Sequence, residues 1–406
     1  MNSATADGPA TQDAPAPVTP AGGPLPEAIS RRLQGLPAVR VEGAALRTVE
    51  LPLVSPFTTS FGTQTVRHAL LLELWGDGLR AWGECVAETV PAYSSETLLT
   101  ARETLRRHLL PPVVGAPART VADHLAGSAW VRGHQMARTT LEMALLDLAG
   151  QAGGRSLGQI LGATRDRVGC GVSIGIQPSL DATLALIEGY LAQGYQRIKL
   201  KCRPGYDVAL ARAVRERFPS CPVMLDANSA YSLRDLETLR QLDAYDLMMI
   251  EQPLATDDFV DHAALQAAIR TPVCLDESVH SLAAAHTALA LRAGRIVNLK
   301  PGRVGGFLVA AAIHDLCQAH GWPTWVGGML ETGLGRAANV ALAGLPNNTL
   351  PGDTSASDRY FHADLIPEPF RLAPDGTLPV PTGPGLGVAP DPRRLQETTL
   401  EYEVLR

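Results

Sequence analysis

The chain has 406 residues, 46% of them hydrophobic and 19% charged, with a formal net charge of −6. Such a chain can bury a large core, and its length suits one barrel plus a companion domain. The acidic balance and the absence of a dense Lys/Arg run exclude a nucleic-acid surface and an anionic-membrane surface.

Residues 1–40 are rich in Ala, Pro, Thr and Gly, which predicts a disordered tail, because such sequence buries too little surface to offset its conformational entropy. The tail has neither the basic start nor the apolar core of a secretory signal, and no apolar run of about 18 residues occurs anywhere, so no membrane span is expected. From Val41 the sequence turns strand-like in Ala45–Leu53 and His68–Trp75. Asp77-Gly78 supplies the positive φ of a tight turn before Leu79–Gly83. With the helical sequence Ser95–Leu105, residues 41–160 read as an α+β capping domain. Its loop Ser55–Gly62 carries Phe57 and Phe61, which suits a lid over a nearby site or aromatics that anchor a loop.

A long amphipathic helix from Gln135 to about Ala152 leads into residues 161–366. There, apolar strands alternate with helical stretches: Val168–Ile176, Arg197–Cys202, Val223–Asn228, Met248–Pro253, Val273–Ser278, Ile296–Pro301, Pro323–Gly328 and a last strand near Thr349–Thr354. That alternation predicts an α/β fold, a (β/α)7β TIM-like barrel. Residues 367–406 are expected to fold back onto the capping domain and complete it. The six cysteines, Cys85, Cys170, Cys202, Cys221, Cys274 and Cys317, have no CxxC spacing and read as buried free thiols in a reducing cytoplasm.

The barrel strands end on charges: Lys199 and Lys201, then Asp226, Glu251, Asp276 and Lys300, the last four spaced 25, 25 and 24 residues apart. Chemistry in such barrels sits where the strands end. Strands 2 and 6 of eight lie about 180° apart, so Lys199 and Lys201 face Lys300 across the mouth with three carboxylates between. Converging carboxylates repel unless a hard cation binds them, and an all-oxygen set suits Mg²⁺, with Mn²⁺ or another divalent metal as a substitute. The alternative, a structural network of acid–lysine pairs, costs more desolvation than it returns. Strand alternation turns Glu277 away from this site. Opposed lysines about a metal suit removal of a proton next to a carboxylate. A lysine titrates near ~10.4, so a base at neutral pH must be pulled down; the metal charge, Lys199 beside Lys201, and Arg303 near Lys300 act in that direction.

Ile198-Lys-Leu-Lys201, Asp226-Ala-Asn228, Ile250-Glu-Gln-Pro253, Leu275-Asp-Glu-Ser278 and Leu299–Gly306 together resemble the enolase superfamily, muconate-lactonising-enzyme subgroup. The pairing of a Lys or His base with Mg²⁺ is a known pattern of that superfamily. Ser55–Gly62, Trp325–Arg336 and Leu350–Ser357 resemble its o-succinylbenzoate synthase and N-succinylamino-acid (N-acylamino-acid) racemase family. The resemblance runs from about Val41 to the C-terminus. It implies Mg²⁺ on Asp226, Glu251 and Asp276, an acid/base pair of Lys201 and Lys300, and Lys199 tuning Lys201. It further implies a lid carrying Phe57 and a substrate pocket of Ser173, Asn228, Gly328, Met329, Leu330 and Tyr360; the family commonly has Phe where this chain has Tyr360.

The resemblance implies a racemase of N-succinyl or N-acyl amino acids, which are small carboxylate substrates, the o-succinylbenzoate synthase reaction of menaquinone biosynthesis, or both, because the two share an enediolate. Against a dipeptide epimerase stands Asp353-Thr-Ser355, which lacks a second acid; against an acid-sugar dehydratase stands Gly327-Gly328 where a His is expected. His134, His280 and His314 read as surface or capping groups. A non-catalytic barrel binding an acidic ligand is the remaining alternative, and both lysines argue against it. A cytoplasmic homo-oligomer is expected.

Overall fold

The computed structural model of the protein describes residues 26–59 and 62–405. Its strands are β1 Gly43–Thr59, β2 Gly62–Gly76, β3 Leu79–Cys85, β4 Arg167–Gly169, β5 Gly171–Ile174, β6 Arg197–Lys201, β7 Val223–Asp226, β8 Ile250–Glu251, β9 Val273–Leu275, β10 Ile296–Leu299, β11 Thr324–Val326, β12 Thr377–Pro379 and β13 Thr399–Leu405. One sheet is parallel and runs in the order β11-β10-β9-β8-β7-β6-β5. Helices such as Leu180–Ala192, Asp207–Arg217, Phe259–Ala268 and Leu282–Leu291 lie between its consecutive strands. Polar residues start three of them: Ser179, Asp258 and Ser281 each accept from a backbone N–H in the first turn.

The predicted eighth strand is an extended segment rather than a regular strand. Gly352 bridges Cys170, Gly171 N donates to Gly352 O at 2.7 Å, and Asp353 N donates to Val326 O at 2.9 Å, so the segment joins β5 to β11 and closes the barrel. Pro351 has no N–H to give to a ladder, which keeps this stretch irregular.

Period-two alternation then sorts the barrel side chains. Arg197, Lys199 and Lys201 share one side of β6, and their register partners, from Gly171 and Ser173 on β5 to Met224 and Asp226 on β7, share it too. Met224, Met249, Cys274, Ile296 and Trp325 pack into one buried cluster that forms a floor, with Trp325 fully buried. The charged strand ends stand above that floor.

The capping sheet runs β13-β1-β2-β3, all antiparallel. The C-terminal segment completes it as expected, through β13 on β1; the same segment also places β12 against β4 beneath the barrel. Asp77 and Gly78, at φ 50° and 77°, make the tight β2–β3 turn. Glu84 of β3 accepts from Thr332 N and Gly335 N at 2.9 Å each, which docks the cap on the barrel.

Four expectations are corrected here. Residues 26–40 are not a disordered tail: Glu27–Arg32 is helical with Ile29 buried, Arg32 reaches Leu161 O and Asp315, and Val39 bridges Arg119. The tail composition hid three anchoring residues. Residues 1–25 lie outside the described residues. Ser55–Thr59 is not a loop but the end of β1 in a long hairpin arm, in which Phe57 pairs Gln64 after a register shift beyond Pro52; Ser60 and Phe61 lie outside the described residues. The helix Gln135–Gly153 is not amphipathic, because it is sandwiched between cap and barrel and buried on nearly every side from Met136 to Gly150. His314 is buried rather than at the surface, and accepts from Asn347 N at 2.8 Å.

All six cysteines are free and buried, as read from their spacing. Among the described residues no helix is long and apolar enough to cross a membrane.

Candidate active site

A cavity of about 240 Å³ opens where the strands of the barrel end, between barrel and cap. Barrel residues Ser173, Lys199, Lys201, Asn228 and Lys300 line its floor. Gly328, Met329, Leu330, Asp353 and Tyr360 form one side, and Phe57 comes down from the hairpin arm. The structure therefore gathers every predicted pocket residue and all three lysines. The side chain of Ser173 is buried with no hydrogen-bond partner among the described residues, and its hydroxyl is ready for one from a ligand.

Asp226, Glu251 and Asp276 end or follow three adjacent strands and are fully buried. Each is engaged by a cation. Lys201 Nζ donates to Asp226 Oδ2 and Asn228 Oδ1 at 2.7 Å each. Lys199 Nζ lies 3.2 Å from Glu251, 3.3 Å from Asp226 and 2.6 Å from Asp353. Lys300 Nζ donates to Asp276 Oδ2 at 2.8 Å, and Arg303 holds the other Asp276 oxygen. Asn298 Nδ2 donates to Glu251 at 2.6 Å. Among the described residues, no three acidic, His or Cys side chains are drawn around a common metal position.

Burial works against charge throughout this cluster, yet the pairs decide the sign. Burial opposes the charge on Lys199, but Asp353, Glu251 and Asp226 hold its ammonium above the usual lysine range. The same holds for Lys300, where Tyr93, Glu277 and Glu251 outweigh burial. The expected downward pull on Lys300 is thus reversed in this arrangement, because acidic neighbours surround it more closely than cations do. Asp226 is kept below the ordinary carboxylate range by Lys201 and Lys199 despite burial. Glu251 goes the other way, raised by burial and by the charge of Asp226.

Three groups escaped the sequence reading. Tyr93, on the cap segment before the helix Leu98–Thr104, puts its hydroxyl 3.3 Å from both Asp276 and Lys300. No strand pattern marks it. Asp353, discounted for lacking a second acid, bridges Lys199 and Arg197, the latter at 2.9 Å. Glu277 does not turn away: β9 stops at Leu275, so alternation lapses, and Glu277 accepts from Asn228 Nδ2 at 3.0 Å.

Backbone strain concentrates at this rim. Asn228, Ser229, Gln252 and Leu330 all sit at positive φ, between 38° and 62°. Gly327 has no room for a side chain, since a Cβ there would fall 2.8 Å from Lys300 Cε.

Comparison with known proteins bears on the same arrangement. Residues 42–162 match the family described as Mandelate racemase / muconate lactonizing enzyme, N-terminal domain, and residues 182–394 match the one described as Enolase C-terminal domain-like. An N-succinylamino acid racemase of an Amycolatopsis species is 53% identical, over 89% of this chain and 98% of that protein. An o-succinylbenzoate synthase of Geobacillus kaustophilus is 47% identical, over 89% of this chain and 96% of that protein. A solved enolase-superfamily structure from Listeria innocua superposes with a TM-score of 0.87 at 40% identity, covering 90% of this chain and 99% of that one. The chain therefore belongs to the mandelate racemase / muconate lactonizing enzyme family of the enolase superfamily, alongside proteins named N-succinylamino acid racemase and o-succinylbenzoate synthase.

Proposed function

We propose that this protein is an enzyme that removes the proton α to the carboxylate of an N-succinyl or N-acyl amino acid and returns it on either face, an N-succinylamino-acid racemase. The observation that carries this is the pair Lys201 and Lys300: Lys201 ends β6 and Lys300 directly follows β10, with three strands between them, and both line one cavity. One lysine takes the proton from one hand of the substrate and its counterpart delivers a proton to the opposite face; the roles exchange for the other enantiomer. Lys199 keeps a fixed positive charge beside Lys201. Ser173, Asn228, Gly328, Met329, Leu330 and Tyr360 would hold the acyl arm, and Phe57 would shield it from water.

Asp226, Glu251 and Asp276 are the residues that would hold a divalent cation. Their donor chemistry fits, being three buried carboxylates on adjacent parallel strands with no sulfur or imidazole among them. Bound there, Mg²⁺ would neutralise the negative charge that the carboxylate gains when the α-proton leaves. Lys199, Lys201, Lys300 and Arg303 stand beside oxygens of Asp226 and Asp276.

A second reading, o-succinylbenzoate synthase in menaquinone biosynthesis, is favoured by the relatives of that name. It needs the same proton removed but loses hydroxide afterwards. A cytoplasmic setting suits the six buried free thiols, and a symmetric homo-oligomer belongs to the same proposal.

The test is ¹H NMR in D₂O with Mg²⁺. N-succinyl amino acids of both hands, and separately the cyclohexadiene precursor of o-succinylbenzoate, are offered to the protein. Fast α-deuteration with racemisation is expected; fast dehydration with slow racemisation makes it the synthase, and no exchange with either substrate ends the proposal.

A further inference from the structure

One wall of the cavity, Phe57 apart, has no part in the chemistry above. The cap segment that carries Tyr93 to Lys300 also brings Glu88 and Val90 to the cavity, and the hairpin arm brings Phe57, Thr63 and Gln64 opposite. Glu88 is fixed at its backbone: it bridges Thr97, the residue that caps the helix Leu98–Thr104, and its carbonyl accepts from Leu98 N at 2.8 Å. Gln64 Nε2 donates to Glu88 Oε2, and Arg67 Nη1 stands 3.1 Å from the same oxygen.

Arg67 is the unusual member. It is 1% exposed, and none of its three guanidinium nitrogens makes an aligned hydrogen bond among the described residues. A buried cation left so poorly satisfied is costly, and among the described residues its charge partner is Glu88. Apolar residues at both 67 and 88 would line the cavity without that cost. What Arg67 supplies instead is a charge partner 3.1 Å from Glu88 Oε2 that holds the carboxylate in place at the cavity wall.

The polarity of the wall follows atom by atom. Gln64 gives an N–H to Glu88, and its carbonyl oxygen accepts no hydrogen bond from the described residues. Glu88 Oε1 takes no hydrogen bond from the described residues. The wall thus offers two acceptors behind an apolar stretch of Phe57 and Val90, with Arg67 balancing the charge from behind.

Building on the α-proton chemistry proposed above, we propose that Glu88, positioned by Gln64 and Arg67, selects amino-acid substrates whose side chain has an apolar stem and ends in a hydrogen-bond donor, such as a carboxamide or an ammonium. With the carboxylate and Cα at the lysines and the acyl arm toward Ser173 and Gly328, the third substituent of Cα faces the cap, where Glu88 stands. An acceptor at such a wall is left unpaired by an apolar side chain, and that loss separates otherwise similar substrates.

The experiment compares kcat/KM for N-succinyl-glutamine and N-succinyl-methionine, which match in length, with N-succinyl-lysine as a third substrate. The full chain with Mg²⁺ is used. A preference of at least tenfold for glutamine and lysine over methionine is expected. Glu88→Met should bring that ratio to one or below by raising the methionine rate as well as lowering the glutamine rate. Because Glu88→Met strands Arg67, the double variant Glu88→Met with Arg67→Met is measured alongside and should show the same reversal. A wild-type preference for methionine, or variants that lose all three substrates in equal proportion, would overturn the inference and leave Glu88 as a strut for the hairpin arm. Absence of α-proton exchange with every substrate would instead defeat the underlying racemase reading.

Discussion

Glu142 offers a sharp test of how the cap grips the barrel. It sits inside the helix Gln135–Gly153, fully buried, and accepts from Leu308 N at 3.0 Å, at the start of the helix Phe307–Ala319, which follows Lys300 after the short helix Pro301–Val304. Burial pushes its carboxyl up from 4.5 to about 7, and the backbone donors Leu308 and Phe307 only partly offset this. The folded protein therefore holds a proton that the unfolded chain releases. Its contribution favours folding below pH ~4.5 and is lost as pH climbs through about 7, a total on the order of 3 kcal/mol at about 1.4 kcal/mol per pH unit. Glu142→Gln removes the ionisation and keeps an acceptor. Equilibrium urea unfolding of both proteins, followed by tryptophan fluorescence, should show the stability gap moving in favour of the variant by about 2–3 kcal/mol between pH 5 and pH 8. Asp147, raised by burial to about 6, acts with the same sign in both proteins and cancels in the difference. A gap that stays constant across that range would refute the reasoning, and with it the view that this clamp carries a buried proton.

Lys201→Ala and Lys300→Ala should each lower racemisation by at least about a thousandfold while leaving the circular dichroism unchanged, each variant retaining α-deuteration of one enantiomer only. Wild-type racemisation in either would contradict the two-base arrangement. Millimolar Mg²⁺ should raise the Tm of the wild type but not that of Asp226→Asn or Glu251→Gln; equal shifts in all three proteins would remove these residues as ligands. Asp353→Asn should cost about 3–5 kcal/mol in urea unfolding, because it leaves Arg197 and Lys199 buried with less charge than they need; a loss under about 1 kcal/mol would show the bridge to be weak. In the native protein a thiol reagent should label none of the six cysteines within minutes, since all are buried and burial pushes the Cys85 and Cys317 thiols up to about 12. Fast labelling of any one would place it at an opening the fold does not show.

The sequence by itself determined the barrel and its charges. The recurrence of an apolar strand ending in Asp226, Glu251, Asp276 and Lys300 at nearly constant spacing leaves little alternative to parallel strands with inward, aligned ends, because βα units repeat and side chains alternate with period two. The cysteines and the Asp77-Gly78 turn were legible for the same reason: their meaning is local. What only the tertiary structure decided were features without local periodicity. Tyr93, Glu88 and Gln64 reach the cavity from segments whose course depends on how the cap docks. Asp353 looked incomplete until Arg197 and Lys199 were seen on either side of it. Glu277 entered the site because β9 ends one residue before Asp276, and residues 26–40 are ordered because three side chains find partners far along the chain. Alternation holds only while a strand lasts, and charge balance is set by neighbours in space; the sequence fixes neither beyond the strand ends.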